Sequence, residues 1–277
     1  MKVFFKSFID YFHDDGPMLA GSISYFFVMA IFPFCLFLVS VLGYFIGENR
    51  AFYDFLLKEL VRFFPAAAFK ITKELAAVIT YKKIGILTLL IYGFFSYQLF
   101  QALEKAISVI FKLKEKRPSL QSVALSLIIV TLIIALIIIS FGATSVISML
   151  TYYNNYFPGL VIKNITKILI GFIIPVVLIS LIATALYILL PKKKVIIIHA
   201  LTGGLFTAFF LEAAKHLFTF FLASKLSNLG AIYGPLTAFA IFLLWIFYSA
   251  SIFLIGGEVV HNLGESALRE NKLSISP

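Results

Sequence analysis

Charge is what this chain has least of. Asp, Glu, Lys and Arg make up 13% of its 277 residues, hydrophobic types make up 61%, and the mean hydropathy is +1.03. A soluble domain carries about a quarter charged residues, so the soluble globular class is excluded and an integral membrane protein is left. Cysteine is almost absent. Cys35, alone in an apolar run, excludes an intrachain disulfide and a cysteine-based metal cluster, and it reads as a small buried hydrophobe. The four histidines stand at positions 13, 199, 216 and 261, too scattered for metal-dependent hydrolysis. The acids Asp10, Asp14, Asp15, Glu104 and Glu115 show no two-metal spacing. P-loop, G-x-S-x-G and H-E-x-x-H motifs are missing. The expectation is a non-enzyme with no catalytic residue, no metal and no cofactor.

What is present is a set of long apolar runs. A membrane crossing takes roughly 20 mainly apolar residues, and six stretches qualify: 19–46, 84–103, 123–147, 168–190, 200–222 and 235–255. The fold class expected is therefore all-α, with six transmembrane helices in a single domain over 1–277. Pro33 lies near the centre of the first run and predicts a kink there, because proline removes a backbone donor. Residues 48–83 mix charges with Phe, Leu, Val and Ala, which is too polar to span. They read as amphipathic helices on the outer surface, between the first and second spans. The opening MKVFFKSFIDYFHDDGP is interrupted by Lys6 and Asp10. It reads as a short amphipathic helix over Val3–Phe12 on the cytoplasmic face rather than as a signal peptide. Asp14-Asp15-Gly16-Pro17 then reads as a helix start, with acids near the positive end of the helix dipole.

Net charge is +10. Lys105, Lys112, Lys114, Lys116 and Arg117 fall in one short loop and Lys192, Lys193 and Lys194 in another. The two short loops on the opposite side hold only Lys163, Lys167 and Lys225. That bias predicts both termini in the cytoplasm. The run KLKEKRP marks the cytoplasmic side and meets anionic headgroups. It carries no interleaved aromatics for base stacking, so membrane lipids and not nucleic acid are the expected partners.

One stretch contradicts its surroundings. FTAFFLEAAKHLFTFFL, Phe206–Leu222, places Glu212, Lys215 and His216 inside an apolar run. Residues three and four apart share a helix face, so these three and Thr219 form one stripe, which Gly204 and Ala208 extend with small side chains. A charge near the bilayer centre costs at least ~2.5 kcal/mol, so the stripe is expected to face the interior, with Glu212 and Lys215 as a pair. Tyr25 in the first span, Gln98 in the second and Glu258 at the end of the sixth are the further cavity candidates. Glu104 and Lys105, at the end of the second span, are expected to be solvated. Gly234 and Pro235 enter the sixth span, Trp245 packs at its middle, and Gly256-Gly257 precedes Glu258. These glycines and prolines are read as structural.

GSISYFFVMAIFPF (Gly21–Phe34), FLEAAKHLFTFFL (Phe210–Leu222) and AIYGPLTAFAIFLLWIFYSASIFLIGGEV (Ala231–Val259) together resemble the first, fifth and sixth spans of the YihY/BrkB family of bacterial inner-membrane proteins. QALEKAISVIFKLKEKRP and YILLPKKK resemble its two cytoplasmic loops. The resemblance implies six transmembrane helices, cytoplasmic termini and a multi-pass inner-membrane location. Members have carried the label ribonuclease BN, which the residues of this chain do not support, and others are linked to lipopolysaccharide or lipid handling. Two functions stay open at this point. One is a transporter-like bundle that moves or binds an amphiphile (a lipid or lipopolysaccharide precursor) or a small ion through a polar cavity. The other is a non-transporting scaffold of an envelope complex.

Overall fold

Six helices make up the regular structure of the described residues, and no strand occurs among them. The structure is a computed structural model, and it describes residues 2–30, 86–113, 122, 125, 129, 172–233 and 235–273. The helices are α1 (Lys2–His13), α2 (Gly16–Ala30), α3 (Ile86–Ile110), α4 (Ile174–Leu189), α5 (Ile197–Tyr233) and α6 (Pro235–Leu273). Each starts within, or next to, a segment that the hydropathy pattern marks as helical. Among the described residues, α5 and α6 hold two stretches long and apolar enough to cross a membrane, and α2 and α4 are shorter apolar helices. The kink expected at Pro33, the amphipathic segment 48–83 and nearly all of the run 123–147 lie outside the described residues.

The chain divides into two compact units. The first comprises Met1–Leu19, Leu103–His216 and Ser251–Pro277, and the second Ala20–Ala102 and Leu217–Ala250.

In the first unit, α4, α5 and α6 approach until their backbones touch. A Cβ at Gly203 would sit 2.8 Å from the Gly256 carbonyl oxygen and would run into the Val260 side chain. A Cβ at Gly256 would collide with the Thr207 and Tyr187 hydroxyls, and one at Gly204 would come within 2.7 Å of the Ser180 carbonyl. Lipid tails are as apolar as leucine, so helices in a bilayer associate by close packing and hydrogen bonds. Glycine supplies both the approach and the access to carbonyls. Tyr187 sits in this junction with no exposed surface. Its hydroxyl donates to the Phe253 carbonyl, which leaves Thr207 Oγ1, 2.8 Å away, as the donor to the phenol oxygen. The Tyr187 ring stacks on Phe253 at 4.9 Å.

Helix ends in this unit follow local rules. Lys112, at φ 54°, closes α3. Its N–H reaches the Val109 carbonyl and that of Leu113 reaches Ser108, both at 2.9 Å, the bond pattern of a Schellman cap with lysine where glycine is commoner. Between α1 and α2 lie only Asp14 and Asp15, the second at φ 55°. Gly16 fits because any side chain there would overlap the Tyr11 ring and carbonyl.

In the second unit, the Trp245 indole packs against Phe218 with ring centroids 5.0 Å apart. Ser24 is buried and returns its hydroxyl to the Ala20 carbonyl at 2.6 Å, so its polarity is satisfied within its own helix. α5 ends at Tyr233 and Pro235 opens α6, the first-turn position where a missing N–H costs nothing. Gly234 between them is outside the described residues.

Candidate functional site

α1 is amphipathic, but the face it turns toward the protein is the polar one. Ser7 and Tyr11 are buried, whereas Phe4, Phe5, Phe8 and Phe12 are between 45% and 69% exposed. In water that arrangement would be inverted; beside lipid an outward aromatic face is stable, and the inward polar groups find partners. The partner is the last third of α6. Asn262, 2% exposed, uses all of its near-side capacity: its carbonyl oxygen accepts from Lys6 Nζ at 2.7 Å, and its amide donates to Ser7 Oγ at 3.1 Å and Asp10 Oδ2 at 2.9 Å. Lys6 lies 3.8 Å from Asp10 and 3.7 Å from Glu265. One turn further along, Tyr11 donates to Ser251 Oγ at 2.9 Å. Burial holds the Tyr11 phenol above its ordinary pKa, and the Ser251 hydrogen bond pulls partly the other way.

The aromatic side of α1 forms one wall of a groove of about 360 Å³ lined by Phe4, Phe5, Phe8, Phe206, Phe210, Ile252 and Ile255. Phe4 stacks on Phe206 at 5.7 Å, and Phe206 meets Phe210 at 4.4 Å. The lining is wholly hydrocarbon. Neither Glu212 nor Lys215 contributes to it.

Below the α1 docking face lies Glu258, with no exposed surface. Asp14 and Asp10 are the acids acting on it and Lys112 is the cation. The cation of α5, Lys215, pairs with Glu212 as expected. Gly257 lets α6 meet the Ile107 and Ile110 side chains of α3 and the Tyr187 ring at about 3.4–3.5 Å from a notional Cβ. His261, one turn on, is buried, stands 3.4 Å from Glu265 and is touched edge-on by Phe111.

Glu212 and Lys215 form an ion pair across one turn of α5. Glu212 is 2% exposed in its side chain and Lys215 45%. The lysine therefore lays its stem along apolar surface and carries its charge outward. The side chains of His216 and Thr219, which share their face, are outside the described residues. Tyr25 and Gln98 belong to the second unit, where Tyr25 is 52% exposed on α2 and Gln98 half-buried on α3. Glu104 was expected to be solvated; it is 9% exposed and accepts from Ser122 Oγ at 3.0 Å. The reason is that α3 continues past the expected end of the second span to Ile110, which carries Glu104 into the packed part of the first unit. Among the described residues no group of three or more His, Cys, Asp or Glu is arranged to hold a metal ion.

Sequence reasoning missed Asn262, Tyr187 and the docking role of Lys6 and Asp10. Asn262 and its α1 partners are some 250 residues apart, so no local pattern links them. A weak signal existed in Lys6 and Asp10, placed one turn apart on a helix whose other face is aromatic.

Comparison with known proteins agrees with the membrane reading. A UPF0761 membrane protein of Aliivibrio salmonicida is 29% identical over 92% of this chain and 80% of its own length. Relatives of the same description from Pseudomonas paraeruginosa and Chlorobium limicola are 28% and 27% identical over 92% and 95% of this chain. The chain spans about three fifths of those two, 61% and 60% of their lengths. No solved structure matches. Residues 8–274 match the family described as virulence factor BrkB, and the chain belongs to that family of membrane proteins.

Proposed function

We propose that the protein is a multi-pass protein of the bacterial inner membrane that binds an amphiphile, a lipid or lipopolysaccharide precursor, and moves it between environments. The observation that carries this reading is the hydrocarbon-lined groove between α1, α5 and α6. An acyl chain needs a wholly apolar seat that opens sideways to lipid. The groove is long in aromatic surface, and one wall is a helix whose polar face is engaged elsewhere. The pair of buried Glu212 and half-exposed Lys215 supports a moving part on α5, since ionisable groups within membrane helices mark functional pathways.

The test is a photoreactive phospholipid with a diazirine in its acyl chain, reconstituted with the purified protein. Adducts should map to peptides containing Phe4–Phe8 and Phe206–Phe210, and Ile252→Trp, which fills the groove, should remove them. Movement is read in liposomes with labelled lipid, with Glu212→Gln run beside the wild type. Adducts spread evenly over all apolar helices, with no labelled lipid moved, would defeat the reading and favour the envelope scaffold. The short-loop charge bias supports six crossings with both termini cytoplasmic. Reporter fusions after Ser119 and Lys193 should then read cytoplasmic and those at Asn155 and Ser227 outside, and a cytoplasmic reading at Asn155 overturns that topology.

A further inference from the structure

Three buried carboxyl oxygens of Asp14 and Glu258 lack a donor among the described residues. Glu258 Oε1 and Oε2 and Asp14 Oδ2 are buried, and apart from the facing Asp14 and Glu258 carboxyls none has a hydrogen-bond partner among the described residues. Glu258 has no exposed surface at all. The charged groups that act on it from the surrounding elements are Asp10 on α1, Asp14 in the α1–α2 turn and Lys112 at the end of α3. α5 presents Gly203 and Thr207 to this part of α6, and its His199 faces Gly264 further along. Asp10 already accepts from Asn262, and Lys112, exposed, makes no ion pair with Glu258 among the described residues. Two ionised carboxylates in contact, one fully desolvated, would repel with no donor to offset either charge. A single proton resolves all of this, because a protonated carboxyl donates to the ionised one facing it.

We propose that Asp14 and Glu258 form a proton-binding site, in which one shared proton joins the α1–α2 turn to α6. The site is built from parts 244 residues apart in the chain, and its three oxygens are buried, with no exposed surface left on Glu258. Removal of the proton leaves two like charges between α1 and α6, so occupancy decides whether the N-terminal helix stays docked. The proposal stands whether or not the groove takes a lipid.

Infrared spectroscopy of the purified full-length protein at neutral pH tests it. The C=O stretch of a protonated carboxyl is resolved from carboxylate and amide bands, and an ordinary glutamate, with a pKa of about 4.3, contributes none. The wild type should show this band, and Glu258→Gln should lack its Glu258 component. Asp14→Asn supplies an amide N–H in place of the proton, so Glu258 should ionise and the same component should disappear. Dicyclohexylcarbodiimide adds its carbodiimide carbon to the oxygen of a protonated carboxyl, which gives an O-acylisourea as the acid proton passes to nitrogen. In the wild type the adduct should map to the Glu258 peptide. A wild-type spectrum without a protonated-carboxyl band overturns the proposal even if neither variant folds. So does a band that persists unchanged in folded Glu258→Gln. Protection of Glu258 from the carbodiimide by sodium but not by choline would also overturn it, and would assign the site to a metal cation.

Discussion

Glu212 and Glu258 are equally hidden, at 2% and 0% exposure, yet they solve the problem of a buried acid in opposite ways. Glu212 carries its cation on its own helix, three residues on, and that cation reaches outward. Glu258 meets two further acids from another part of the chain, and among the described residues the cation acting on it, Lys112, is exposed at the end of α3. The first arrangement is a charge compensated locally, which survives any movement of α5 as a rigid body. The second depends on where α1 sits, so it is the one able to sense or report a rearrangement. Burial alone does not distinguish a structural acid from a functional one; the origin of the neighbouring charges does.

The strongest way to break the comparison is to remove the local cation. Lys215→Met takes the counter-charge from a carboxylate that has almost no access to water. Removing one partner of a fully buried pair costs about 3–5 kcal/mol; Lys215 is 45% exposed, so a loss near the lower end, about 3 kcal/mol, is expected, read as low membrane abundance and a lowered Tm. The reverse change, Glu212→Gln, should be milder, because the 45% exposed lysine can stay in contact with water or headgroups. The double variant should fold near the wild-type level, since neutral, well-packed residues often replace such pairs without loss. If both single variants are equally stable, the pair is not the element that satisfies Glu212. If the double variant is stable and also complements fully in vivo, the pair has no part in the proposed function.

A second test acts on the dependence of Glu258 on α1. Asn262→Leu keeps roughly the same volume but deletes the amide that accepts from Lys6 and donates to Ser7 and Asp10. Hydrogen bonds to charged groups are worth about 1.5–3 kcal/mol, so a loss of about 2 kcal/mol is expected, concentrated at the α1 contact. Hydrogen exchange should show the amides of α1 opening while those of α4 and the Gly203–Gly256 crossing keep their protection. Uniform loss over both regions would mean that α1 is an integral part of the packing rather than a docked element.

The same contrast explains what was legible in the sequence. The helices were readable because hydropathy and helical period are local. The Glu212–Lys215 pair was readable because both members lie within one turn. Gly256 and Gly257 stood out as a doublet beside an acid, but their partners, Gly203 and Tyr187 on other helices, did not. Asp14 was assigned to the start of α2 on the strength of its neighbours, whereas its carboxyl faces Glu258. Glu104 was placed in solvent because the apolar run ends near it, although the helix does not. In each case the sequence shows a residue type and a face, and the missing information is which distant element covers that face.

The smallest effect is expected from Glu258→Gln, and it sharpens the comparison most. If Glu258 holds a proton against Asp14, the neutral amide reproduces both its shape and its donor, with an N–H in place of the O–H. No charge is lost and no acceptor is newly exposed, so stability should change by less than about 1 kcal/mol, the size of one ordinary hydrogen bond. Glu258→Ala, by contrast, empties a fully enclosed site and leaves Asp14 Oδ2 facing a void. That should cost about 2–3 kcal/mol through lost packing and an unmet buried oxygen. Thermal unfolding of the two variants beside wild type decides the matter. A drop of about 3 kcal/mol in Glu258→Gln would show that the carboxyl is held as an anion by an attraction lost with its charge. Glu258 would then be a compensated acid of the same kind as Glu212, and the contrast between them would fall.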